Sequence, residues 1–160
     1  ITRDAAVTGD VKDCFEKKGI LKHSKEAKTE EERCLTCNKV CENCVDVCPN
    51  RANISIKVPG MAMNQVIHVD YMCNECGNCK SFCPYASAPY LDKFTLFAKE
   101  ADMADSKNDG FAVIDKEAVT AKIRFFGKET TWTKGQESSV PFGLLKVIEA
   151  VCADYSYLLP

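Results

Sequence analysis

Nine cysteines fall between Cys34 and Cys83, a stretch of fifty residues, and they form two runs that echo each other. The first is Cys34-Leu-Thr-Cys37-Asn-Lys-Val-Cys41-Glu-Asn-Cys44-Val-Asp-Val-Cys48-Pro49. The second is Cys73-Asn-Glu-Cys76-Gly-Asn-Cys79-Lys-Ser-Phe-Cys83-Pro84. Cys41, Cys44 and Cys48 repeat as Cys76, Cys79 and Cys83 at an offset of 35 residues, each time with a proline after the last cysteine. Few folds tolerate so dense a set of thiols. Eleven cysteines in 160 residues approach the density of a disulfide scaffold. The count is odd, however, and successive Cys-x-x-Cys steps suit a metal centre better than staples across long loops. The chain is therefore expected to hold metal through thiolates, in a reducing, cytoplasmic setting.

The second run has the spacing C-x2-C-x2-C-x3-C-P, which serves a pair of 4Fe-4S clusters. A cubane needs four thiolates converging on four iron corners. Three cysteines in a tight loop wrap one cluster, and the fourth points away to ligate the other. The proline that follows fixes φ and removes a donor, which suits the first turn of a helix. One cluster is thus expected on Cys73, Cys76, Cys79 and Cys48. The other is expected on Cys41, Cys44, Cys83 and either Cys37 or Cys34. The regular first position of run one is Asn38, so Cys37 is the nearer substitute and Cys34 the alternative. Zinc is the rival metal, because paired Cys-x2-Cys steps also build tetrahedral sites. Zinc does not require triple runs ending in Cys-Pro.

Composition narrows the remaining classes. With 21 basic and 23 acidic residues the net charge is −2, and no basic patch invites nucleic acid. Between Cys34 and Tyr90 four basic side chains (Lys39, Arg51, Lys57, Lys80) balance four acidic ones (Glu42, Asp46, Asp70, Glu75). No apolar run reaches the length of a membrane span. No Gly-rich phosphate loop is present, so flavin or nicotinamide binding by that route is not expected here. No general acid, base or nucleophile stands out, and no catalytic residue is expected in the chain. Cys14 and Cys152 sit in helix-like patterns and read as core thiols. His23 and His68 read as surface residues, and Trp132 and the Phe125–Phe126 pair as packing.

Three segments are expected. Residues 1–33 are polar, with Asp10 placed to cap a helix and Thr29–Glu32 at capping-box spacing. The start at Ile1, without an initiator methionine, leads to the expectation of a piece of a longer polypeptide. Residues 34–97 hold the repeat. Between its runs Asn53–Val58 and Gln65–Val69 alternate like strands around a Pro59-Gly60 turn, and Phe94–Phe97 reads as a third strand. Residues 98–160 form a small α+β extension, with strands at Phe111–Ile114, Val119–Phe125 and Thr130–Thr133 and a helix over Phe142–Tyr155. The fold class expected is α+β, a two-cluster core followed by that extension.

From about Arg33 to Phe97 the chain resembles bacterial two-cluster 4Fe-4S ferredoxin domains. Arg33-Cys34-Leu35-Thr36-Cys37 is similar to a cysteine motif of glutamate-synthase-like oxidoreductases. Cys44-Val-Asp-Val-Cys48-Pro-Asn-Arg-Ala-Asn53, Cys73-Asn-Glu-Cys76-Gly-Asn-Cys79 and Pro89-Tyr-Leu-Asp-Lys93 resemble the C-terminal iron–sulfur domain of the selenate reductase subunit family, which are large iron–sulfur flavoproteins. The resemblance weakens after about residue 100. It implies that residues 1–33 are the tail of a flavin module or its linker. It also implies FAD and NAD(P)H in that module, and molybdenum hydroxylase subunits as further partners. Electron transfer between the flavin module and a partner redox site is the function so implied. The competing expectation, from the residues alone, is a structural module stapled by metal, with residues 98–160 as its interaction surface. A stand-alone soluble ferredoxin is a third possibility.

Overall fold

The computed structural model describes residues 42–84 and 87–160. Their centre is a six-stranded mixed sheet whose spatial order follows the chain, β1 to β6. Strands β1 (Asn53–Ile56) and β2 (Gln65–Val69) pair antiparallel, with Asn53 opposite His68 and Ile56 opposite Gln65. Gly60, at φ 85°, lies in the loop between them, where the Pro59-Gly60 signal predicts a turn. Strand β3 (Thr95–Phe97) runs parallel to both β2 and β4 (Gly110–Asp115). A parallel pair cannot be closed by a tight turn and needs a crossover. The β2–β3 crossover carries the second cysteine run, and the β3–β4 crossover carries a 3-10 turn at Glu100–Asp105.

Strands β5 (Thr120–Phe125) and β6 (Lys128–Thr133) complete the sheet as an antiparallel meander. The β5–β6 turn places Phe126 (φ 49°) and Gly127 (φ 71°) both in the left-handed region, as a two-residue hairpin of primed type demands. Asp109 fixes it, because its carboxylate accepts from the Phe126 N–H at 2.8 Å and the Gly127 N–H at 3.2 Å. The Phe126 side chain is consequently exposed at the hairpin tip, where the packing expected of the Phe125–Phe126 pair comes down to the contact between the two rings. Its ring centroid lies 4.5 Å from that of Phe125.

The register gives the sheet two unlike faces. Ile56, Ile67, Val69, Leu96, Phe111, Ala121, Ile123 and Trp132 project to one face and are buried. They pack with helix α4 (Phe142–Asp154), through Leu144, Leu145, Val147, Ile148, Val151 and Cys152 among others. Cys152 is a core thiol, as its helical spacing predicts, and burial pushes its pKa up. Trp132 is buried as well, with its indole N–H on the Gln136 carbonyl at 3.0 Å. The other face presents Asn53, Ser55, His68, Thr95 and Arg124, with a small apolar cluster of Phe97, Met103 and Ala112. The cysteine runs are tied to this polar face.

Because β3 pairs with β4, residues 98–160 continue the sheet begun by β1 and β2. Gly110 marks the junction: a Cβ there would sit 2.1 Å from the Thr95 carbonyl oxygen and 2.9 Å from the Phe97 ring. Among the described residues no helix is long and apolar enough to cross a membrane. Expectations for residues 1–33, including the Asp10 cap, Cys14, His23 and the Thr29–Glu32 box, lie outside the described residues, as do Cys34, Cys37 and Cys41.

Candidate metal centre

Run one is built on a single helical turn, α1 (Asn43–Asp46), started by the Glu42 carbonyl, which accepts from Val45 and Asp46. The chain then turns at Cys48-Pro49, where Arg51 N–H bonds the Cys48 carbonyl and Arg51 adopts φ 54°. That reversal delivers the Ala52 N–H to the Cys48 sulfur at 3.1 Å. Strand β1 begins one residue later and grips the turn with two side chains. Asn53 donates through Nδ2 to the Cys44 carbonyl at 3.0 Å, and the Ser55 hydroxyl donates to Glu42 Oε1 at 2.8 Å.

Run two leaves β2 through a 3-10 turn at Asp70–Met72. Glu75, at φ 52°, donates its N–H to the Cys73 sulfur at 3.3 Å. Gly77, at φ 77°, caps helix α2 (Asn78–Ser81), where a side chain would be strained. Beyond Cys83-Pro84 the Ser87 N–H approaches the Cys83 sulfur at 3.4 Å. Ala52 to Cys48 and Ser87 to Cys83 are the same contact, 35 residues apart. Helix α3 (Pro89–Asp92) supports this end, with Asp92 Oδ2 accepting from the Ser87 hydroxyl at 2.9 Å and the Ala88 N–H at 2.7 Å.

The two turns α1 and α2 pack side by side. Cys79 is buried, Cys44, Cys48, Cys73 and Cys83 are half-buried, and Cys76 is exposed. Cys73 lies close enough to Cys48 and Cys79 for their charges to act on it. Burial pushes the Cys73 thiol up most, the Glu75 N–H opposes this, and negative charge on Cys48, Cys79 and Glu75 pushes it higher still. Negative charge acting on a thiol disfavours its thiolate unless positive charge offsets it, and coordinated metal supplies such charge and deprotonates thiols outright. Backbone N–H groups aimed at sulfur likewise favour thiolate and tune a bound cluster. The chemistry of this donor set fits a thiolate-ligated cluster. Among the described residues, no three His, Cys, Asp or Glu side chains gather in a geometry that could hold a single metal ion.

Two features escaped the sequence reading. The first is His68, expected on the surface and found only 2% exposed. Strand β2 lies between β1 and β3 and is buried at all five positions, so its polar residue had no wet face to occupy. His68 Nδ1 meets Asn53 Oδ1 at 3.0 Å, and burial lowers its pKa to about 4. The second is a cleft of about 350 Å³ beside Cys73, lined by His68, Tyr90 and the carboxylates Asp70, Glu75, Asp102 and Asp105. Burial raises the Asp70 pKa, and Asp102 and Glu75 raise it further. No local pattern announces this cleft, because Asp102 and Asp105 reach it from the β3–β4 crossover.

That crossover is clamped by Arg124. Its guanidinium donates to the carbonyls of Met103 and Ser106, each at 2.6 Å, and pairs with Glu129 at 2.6 Å. Asn108 adds a bond from Nδ2 to the Tyr90 carbonyl at 2.9 Å.

The chain is similar to a segment of longer proteins. Over 139 residues the chain is 45% identical to "Putative oxidoreductase YgfK" of Escherichia coli K12, a match covering 81% of this chain and 13% of that protein. The protein of the same name from Escherichia coli O157:H7 is 44% identical over the same length. No family model and no solved structure matches. The chain is thus homologous to a segment of a much longer protein and spans 13% of the length of these relatives.

Proposed function

We propose that this chain is the electron-transfer part of a multi-domain oxidoreductase, built on a two-cluster ferredoxin-like core. In this reading, two 4Fe-4S clusters relay single electrons between a flavin and NAD(P)H module and a partner redox site. The observation that carries the reading is the side-by-side packing of α1, from run one, with α2, from run two. Two clusters that exchange a ligand require the two runs to lie together, which two independent metal knuckles do not. The matching N–H to sulfur contacts at Cys48 and Cys83 support the same pseudo-symmetry. The similarity to long proteins named as oxidoreductases supports the redox class and the presence of further modules elsewhere.

Cys73, Cys76, Cys79 and Cys48 would hold one cluster. Cys41, Cys44, Cys83 and Cys37, or Cys34 in its place, would hold the other. The clusters supply one-electron chemistry when bound. The chain's own part is to aim the thiols, to direct backbone N–H groups at sulfur, and to set the surrounding charge. Molybdenum hydroxylase subunits remain the partners suggested by the sequence resemblance.

Anaerobic titration with dithionite tests the proposal. Two cubanes take up about two electrons per chain. Protein that binds metal yet takes up none would place the chain with metal-stapled structural modules.

A further inference from the structure

The two runs repeat in sulfur spacing but not in what anchors them. In run one the anchor is a buried polar couple on strands β1 and β2, Asn53 at 1% exposure and His68 at 2%. The couple has a definite hydrogen-bond order. Asn53 uses its N–H on the Cys44 carbonyl at 3.0 Å, so the amide oxygen is what faces His68. An amide oxygen only accepts, so the imidazole nitrogen that meets it, Nδ1, carries the proton and donates. His68 therefore sits neutral as the Nδ1–H tautomer, in keeping with its depressed pKa.

The Cys44 carbonyl is where this order ends, and the local backbone explains the need. In a continuing helix the Cys44 carbonyl would receive the Cys48 N–H. That N–H instead approaches the Val45 carbonyl at 3.4 Å, because the chain is already turning toward Pro49. Asn53 supplies a donor from the sheet. At the equivalent position in run two, 35 residues after Asn53, stands Ala88, whose methyl cannot donate.

We propose that His68 and Asn53 are positioning residues for the cluster that Cys44 would ligate: His68 holds the Asn53 carboxamide, which holds the Cys44 peptide and so aims its thiol. This rests on the electron-transfer reading above. Neither residue touches the cluster, and neither acts by titration. A buried bond of this kind contributes enough that its loss speeds local opening about five- to tenfold.

The test uses anaerobically purified full chain and follows iron release to a chelator, which resolves into one phase per cluster. The phase belonging to the Cys44 cluster is the one that Cys44→Ser abolishes. In Asn53→Ala and His68→Ala that phase is expected to accelerate about five- to tenfold while the other holds its rate. His68→Asn places an amide donor where Nδ1–H stood and is expected to restore the slow phase. His68→Gln places its donor at the Nε2 position and is not. Equal acceleration of both phases, an unchanged Cys44 phase, or failure of His68→Asn to rescue would each overturn the proposal. Wild-type protein with iron and sulfide but equal sensitivity in all variants leaves the electron-transfer reading standing and removes this one. Wild-type protein without sulfide removes both.

Discussion

The two cysteine runs share a spacing and differ in nearly everything that surrounds it. Cys48 and Cys83 accept the same backbone contact from Ala52 and Ser87. Beyond that, run one leans on strand β1 through Asn53 and Ser55, whereas run two is braced by Asp92 and faces a cleft rich in carboxylates. The difference separates two kinds of constraint. In the proposed reading, spacing within a run is dictated by where sulfur must sit around a cubane, so it repeats. The supporting groups are dictated by the sheet each run rests on, so they diverge. Local charge is one lever on cluster potential. The concentration of Asp70, Glu75, Asp102 and Asp105 around Cys73 would make a cluster held there harder to reduce than its neighbour.

The largest effect that would break this comparison is at Cys48, where the proposed reading has the runs exchange a ligand. Cys48→Ala is expected to lower iron from about eight to about four per chain and to spare the Cys44 cluster, as read by metal analysis. Loss of the Cys44 cluster instead would mean that each run keeps its own cysteines. Gly110→Ala attacks the support common to both runs. The added methyl meets the Thr95 carbonyl oxygen at 2.1 Å, and backbone must move. Denaturant unfolding should show a loss of about 3 kcal/mol or more, with both clusters released faster.

Arg124→Ala sharpens the contrast from the other side. It removes the buried donor of the Met103 and Ser106 carbonyls, at about 2–3 kcal/mol. The acidic turn should loosen, and the Cys73 cluster should become the more labile one. The smallest effect is a pH response from His68. Its folded pKa, about 4, lies below the ordinary value of 6.5. The unfolded chain therefore binds the extra proton first, and stability falls as pH drops below about 6.5 and levels off below about 4. Between pH 7 and pH 5.5 the loss is about 1 kcal/mol, and it should be missing from His68→Asn.

Much of the architecture was legible because it is local. Alternation marked the strands at Asn53 and Gln65 and the one expected from Val119, which starts at Thr120, Pro59-Gly60 and Gly127 marked turns, and Leu145, Ile148 and Cys152 marked the helix. What lay hidden depends on pairing between distant segments. Nothing near His68 reveals that β2 is flanked on both sides, and that alone turned an apparent surface residue into a buried one. The parallel β3–β4 pairing, which joins residues 98–160 to the sheet, leaves no mark in either strand. Gly110 looks like any glycine until Thr95 and Phe97 are placed beside it. Spacing alone singled out the candidate thiols, whereas the Asn53, Asp102 and Arg124 side chains around them left no local signal, since each reaches its partner through a strand pair or a crossover.

The central claim is that these thiols hold two cubanes, and metal analysis tests it most directly. Iron, acid-labile sulfide and zinc should be measured in anaerobically purified full chain. About eight iron and eight sulfide per chain, with little zinc, is the predicted result. About two zinc and no sulfide would contradict it and end the electron-transfer account.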